Sequence, residues 1–187
     1  MTNHRQTTSF LRRRFDEVGI RPDTRLGQNF LIDLNLVDLL VDSAVLSERD
    51  VVLEVGTGTG SLTALMAQQA GHVVSIEMDR QLHQLASEEL IDAENVTLLH
   101  QDVLRNKNNI HANVIETVQA RLANIEGSRF KLVANLPYSI ATPLISNLLL
   151  TPIVPSMMVV TIQKELADRI VAEPKTKDYG ADRKSVV

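Results

Sequence analysis

Three glycines at alternate positions restrict the fold of this chain more than any other feature. In Val-Leu-Glu-Val-Gly-Thr-Gly-Thr-Gly, residues 52–60, a short apolar run ends in the glycines, and a helix-compatible stretch over 61–70 follows. The pattern predicts a buried strand (51–55), a tight turn and a helix. Glycine accepts positive φ and lets a ligand reach the backbone, and a newly started helix offers unpaired N–H groups. Glu77 closes a second apolar run (73–77) and comes 21 positions after Gly56. In folds of this kind that spacing places an acid beside ribose hydroxyls.

The alternation continues. Strands are predicted over 96–100, 130–134 and 157–162, and helices over 79–91 (with Asp79 as cap), 142–150 and 164–172. Repeated strand–helix units imply an α/β fold, a mostly parallel sheet with helices on both faces. An amphipathic helix over 34–45 is expected to pack across that sheet. Residues 106–127 are polar, with apolar residues at Ile110, Val114, Val118, Leu122 and Ile125. They read as a surface helix inserted between the third and fourth strands.

The chain has 187 residues, suited to one compact domain, and 44% of them are hydrophobic, enough for a core. No cysteine is present, which excludes a disulfide scaffold and a thiolate metal site. His4, His72, His83, His100 and His111 show no metal-ligand spacing with one another. No apolar run reaches the roughly 18 residues of a membrane span, and a cytoplasmic monomer is expected. The net charge of -4 argues against nucleic acid, but its distribution is uneven. Arg5, Arg12, Arg13, Arg14, Arg21 and Arg25 form a basic arm over 1–25, which on charge alone reads as a solvated terminus.

The glycine turn is not a dinucleotide fingerprint, which would need glycine where Ser61 stands, and it lacks the lysine of a phosphate loop. Glycines at every second position behind Glu54 resemble motif I of S-adenosylmethionine methyltransferases. That resemblance implies that the helix start faces the methionine portion, Glu77 the ribose and Asp102 the adenine amino group. After the fourth strand comes Asn-Leu-Pro-Tyr: Asn135, Leu136, Pro137 and Tyr138. An exocyclic adenine amine is a poor nucleophile because its lone pair is delocalised into the ring. An Asn oxygen and a backbone carbonyl that accept its hydrogens favour a more pyramidal nitrogen. Pro137 keeps the turn rigid, and Tyr138 offers a face for a flipped base.

Leu-Gly-Gln-Asn-Phe-Leu (26–31), the glycine motif, Ile-Glu-Met-Asp (76–79) and Gln-Asp (101–102) precede Asn-Leu-Pro-Tyr-Ser-Ile-Ala-Thr-Pro-Leu-Ile (135–145). Gln-Lys-Glu-Leu-Ala-Asp-Arg-Ile (163–170) and Lys-Asp-Tyr-Gly (177–180) follow it. In this order they closely resemble the ribosomal RNA adenine N6-dimethyltransferases of the KsgA type, with the erythromycin-resistance methylases as cousins. The resemblance implies a Rossmann-like class I methyltransferase domain over 26–180 that uses S-adenosyl-L-methionine. It further implies dimethylation of two adjacent adenines near the 3′ end of small-subunit rRNA during ribosome assembly. Gln28, Asn29, Leu31, Gly56, Gly58, Glu77, Met78, Asp102, Val103 and Asn135 would line the cofactor site. Asn135, Leu136, Pro137 and Tyr138 would hold the base, Phe30 would pack beside them or in the core, and the N-terminal arginines would touch RNA. The other readings are a large-subunit methylase of the antibiotic-resistance type and a non-catalytic rRNA-binding assembly factor. Beyond Gly180 the family pattern runs on into further strands and a helical C-terminal domain. Here residues 181–187 resemble translated adapter DNA, so an incomplete chain lacking the last strands and that domain is expected.

Overall fold

The structure is a computed structural model and describes residues 34–173. The chain runs through α1 (Leu34–Ala44), β1 (Asp50–Val55), α2 (Ser61–Ala67), β2 (His72–Glu77), α3 (Arg80–Glu89) and β3 (Val96–His100). It continues through β4 (Leu104–Asn106), β5 (Asn109–Ile110), α4 (Ala112–Ala123), β6 (Arg129–Asn135), α5 (Ala141–Leu148), β7 (Met157–Thr161) and α6 (Lys164–Ile170). Five strands form one parallel sheet in the order β3-β2-β1-β6-β7, and β4 and β5 pair as a small antiparallel hairpin.

β1 and β2 are buried along their whole length, as the continuous apolar runs require of a parallel sheet covered on both faces. Val51, Leu53, Val74, Ile76, Leu132 and Ala134 pack towards α4 and α5. Val52, Val73 and Val133 pack on the opposite face with Val37 and Val41 of α1 and Leu62 and Met66 of α2. The Asp79 carboxylate accepts the N–H groups of Gln81 and Leu82 and caps α3, as its position in the sequence predicts.

A buried clasp holds the end of α1. Lys131 Nζ donates to the carbonyls of Ala44 (2.9 Å) and Val45 (2.8 Å) and to Asp50 Oδ2 (3.1 Å), while Arg129 donates to the same carboxylate. Burial works to raise the Asp50 carboxyl, but hydrogen bonds from Lys131, Arg129 and Ser47 outweigh it and hold the group below its ordinary range.

The segment over 106–127 forms the expected helix, exposed at Ala112, Asn113, Glu116, Gln119 and Ala120. It is preceded, however, by the unexpected β4–β5 hairpin and fully buries Val114 and Val118 against the sheet. The cause is topological. β3 lies at one edge of the sheet and β6 on the far side of β1, so the connection must cross a face, and the apolar stripe of α4 covers the strands that it crosses. Connections leave β1 and β6 in opposite directions, and the crevice at the carboxyl ends of two such strands is where open α/β sheets bind ligands.

Candidate active site

The β1–β6 register brings the two singled-out motifs together. Leu53 pairs with Leu132, and carried three residues further that register sets Gly56 against Asn135. A Cβ added to Gly56 would lie 3.6 Å from Pro137 Cδ and 3.8 Å from the Asn135 carbonyl oxygen. Gly56, Gly58 and Gly60 all have positive φ, at 84°, 59° and 82°, which is why side-chain-free residues occupy the turn. Ile76 O accepts from Gly56 N (2.8 Å) and Thr57 N (3.2 Å) and ties the turn to β2.

Glu77 sits under this turn. Its Oε2 accepts from Gly58 N at 2.9 Å and its Oε1 from Asp79 N at 2.9 Å, so one carboxylate brackets the glycine turn and the start of α3. Burial raises its proton affinity, and those two N–H groups oppose the rise. Each carboxylate oxygen has a second lone pair for a further donor.

Asp102 follows β3 and is exposed; its Oδ1 accepts from Leu104 N at 2.9 Å, and the neighbouring Gln101 N donates to Glu77 O at 3.0 Å. Met78 is exposed beside Glu77, whereas Val103 and Leu136 are buried in the core. The latter two therefore offer the crevice their backbone rather than their side chains. The Pro137 carbonyl accepts from Ile140 N at 3.1 Å, and Tyr138 is exposed. Gln28, Asn29, Phe30 and Leu31, the basic arm and residues 177–187 lie outside the described residues.

Several side chains at the site were given no role of their own from sequence. Glu54 is fully buried, and its Oε2 accepts from Ser75 Oγ (2.6 Å) and Thr63 Oγ1 (2.5 Å), with Thr57 Oγ1 2.6 Å from Ser75 Oγ. Burial pushes its carboxyl up to about 8, with the Glu77 charge adding to the rise and the two hydroxyls opposing it. On the other side of the crevice, Thr161 Oγ1 donates to Asn135 Oδ1, and Thr161 O accepts from Leu136 N at 3.3 Å. Gln101 and Asn113 exchange two amide hydrogen bonds, 2.6 and 3.1 Å, and tie the loop after β3 to α4. An acid between Leu53 and Val55 in a buried strand was a signal for Glu54; Thr161 gave none before β7 was placed beside β6.

The sequence model of the ribosomal RNA adenine dimethylase family matches residues 20–185. The chain belongs to that family. The ribosomal RNA small subunit methyltransferase A of Pediococcus pentosaceus is 42% identical over 167 residues, covering 89% of this chain and 53% of that protein. The chain thus spans about half the length of the curated relatives it matches. Among solved structures, the 23S rRNA methyltransferase ErmE aligns with a TM-score of 0.58 at 26% identity, covering 81% of this chain and 53% of that one. A dimethyladenosine transferase from Plasmodium falciparum aligns with a TM-score of 0.62 at 24% identity, over 78% of this chain and 47% of that one, and shows the shared fold. The fold of this ribosomal RNA adenine dimethylase family member is therefore the Rossmann-like methyltransferase fold. Among the described residues no group of side chains could hold a metal ion, and no helix is long and apolar enough to cross a membrane.

Proposed function

We propose that this protein uses S-adenosyl-L-methionine to dimethylate the N6 amines of two adjacent adenines near the 3′ end of small-subunit rRNA. The observation that carries the reading is the close approach of Gly56 to Pro137 and the Asn135 carbonyl. It sets the turn read as nucleoside-binding directly against the turn read as amine-binding. S-adenosylmethionine suits that half of the crevice: the positive-φ glycines keep its backbone bare, and the Glu77 carboxylate beside them can accept from ribose hydroxyls. The cofactor supplies an electrophilic methyl on a sulfonium. Gly56 and Gly58 open the backbone to it, Glu77 takes the ribose, and Asp102 takes the adenine amino group. Met78 and the Val103 backbone line the base, and Gln28, Asn29 and Leu31 would add the cofactor contacts that the family resemblance implies.

Across the crevice Asn135 Oδ1 and the Leu136 carbonyl accept the two hydrogens of the target amine and turn its lone pair towards the methyl. Pro137 holds those acceptors still, and Tyr138 stacks on the extruded base. The donor is cationic, so no strong base is required, and positioning with exclusion of water accounts for the rate. The substrate is a small-subunit precursor particle, and the catalytic domain comprises residues 26–180 behind a basic arm over 1–25.

The test is tritium transfer from labelled cofactor to undermethylated small subunits, using the protein encoded by the complete gene. Transfer should appear in two adjacent adenines and fall about 100-fold or more in Asn135→Ala, the scale set by loss of a reaction-centre hydrogen bond. Undiminished transfer by Asn135→Ala would overturn the site assignment, and label in large-subunit rRNA would point to the resistance-type methylases.

A further inference from the structure

The methylation reading leaves the β4–β5 hairpin without a role. Its exposed residues are Arg105, Asn106, Lys107, Asn108 and Asn109, two cations and three amides, and no acid occurs between Asp102 and Glu116. In a chain with a net charge of -4 this is a local reversal of sign. Neither Arg105 nor Lys107 has an ion-pair partner among the described residues.

A solvated loop has no need of a frame, yet this hairpin has one. Asn106 Oδ1 accepts from Asn108 N and Asn109 Nδ2, both at 2.9 Å, and fixes the two-residue turn. Leu104 is buried in the core with Ala141, Leu144 and Leu148, and Asn147 Nδ2 of α5 donates to the Lys107 carbonyl at 3.0 Å. The extra residue where the register shifts is Arg105, and such a bulge redirects a side chain. The helix gripping the hairpin starts three residues after Tyr138, and the hairpin itself leaves the carboxyl end of β3, the sheet end that carries Gly56, Glu77 and Asn135. The cations are thereby held in a fixed place against α5, the helix that follows the base-binding turn.

We propose that this hairpin grips the phosphodiester backbone of the RNA that carries the target adenine, with Arg105 and Lys107 on phosphates and the asparagine amides on phosphate or sugar oxygens. Backbone contacts of this type position the nucleic acid and carry no sequence information. The inference rests on the RNA-methylating reading and deepens it, since an extruded base is held only if its flanking backbone is held too.

The experiment is a salt series of binding between bare, unmethylated small-subunit RNA and the protein encoded by the complete gene, wild type against Arg105→Gln/Lys107→Gln. Two lost phosphate contacts should weaken binding about tenfold near 0.1 M salt and flatten the slope of log K on log salt by about 1.4. Cofactor affinity and melting temperature should stay as in the wild type. Unchanged affinity and slope would overturn the proposal, as would a loss of affinity with the slope intact. A loss seen with whole particles but not with bare RNA would also overturn it and indicate a ribosomal protein as the partner. Wild type that transfers methyl groups while the variant binds equally well refutes this inference alone. Wild type that binds with the expected slope but transfers nothing refutes the methylation reading and leaves the contact standing.

Discussion

Glu54 should make this protein less stable as pH rises, and Glu54→Gln should remove that dependence. Burial pushes the folded carboxyl up to about 8, against 4.5 for the free group. Between those values the folded chain keeps a proton that the unfolded chain has lost. The contribution is therefore complete below 4.5 and drains away as pH climbs through 8. Each pH unit inside the window costs about 1.4 kcal/mol, so passing from about pH 5 to pH 7 removes roughly 2.7 kcal/mol through this one group. The glutamine side chain of the variant cannot ionise, and its amide can still meet the hydroxyls of Ser75 and Thr63. His72 titrates in the opposite sense, since burial and then the Arg121 charge hold it down at about 4, but it is common to both proteins and cancels in their difference. Equilibrium urea unfolding of both proteins across that range should show the wild type losing about 2.7 kcal/mol relative to the variant. Parallel stability curves would refute the reasoning and mean that Glu54 is ionised in the fold.

Three other substitutions test separate parts of the structure. Thr161→Val deletes the hydroxyl that donates to Asn135 Oδ1; turnover should drop about tenfold with cofactor affinity unchanged, and Thr161→Ser should restore it. Lys131→Met strands the Ala44 and Val45 carbonyls and removes a cation from Asp50, and urea unfolding should register a loss of about 3 kcal/mol. Gly71→Ala would set a Cβ 2.1 Å from the Glu48 carbonyl oxygen and 2.8 Å from Ile125 Cδ1, so a destabilisation of about 3 kcal/mol should appear as a lower melting temperature.

The elements were legible where a local rule sufficed. Apolar runs marked β1, β2, β3, β6 and β7 to within a residue or two, and Asp79 announced the start of α3. What stayed hidden depends on strand order. The spacing of Val114 and Val118 showed that a helix would form, but only a β3 at the sheet edge turns that stripe inward. The glycine turn and Asn135 were each singled out in the sequence, while their meeting follows from β6 pairing with β1. Thr161 and the Glu54 hydroxyl cluster lie a step further off, since both join residues on different elements through side chains that look ordinary in sequence.

The two halves of the crevice are supported differently, and this has a functional consequence. On the side proposed for the cofactor the supports are internal: Glu77 braces Gly58 and Asp79, and Ile76 O holds Gly56 and Thr57, all between β1 and β2 near the sheet centre. On the side proposed for the target base Asn135 and Leu136 lean on Thr161, at the end of β7, the outermost strand on that side among the described residues. An outer strand has one paired neighbour and opens more readily than a central one. Loosening β7 should thus misplace the amine acceptors before it disturbs the glycine turn, so that turnover falls while cofactor binding persists. A site built in the reverse order would lose both together.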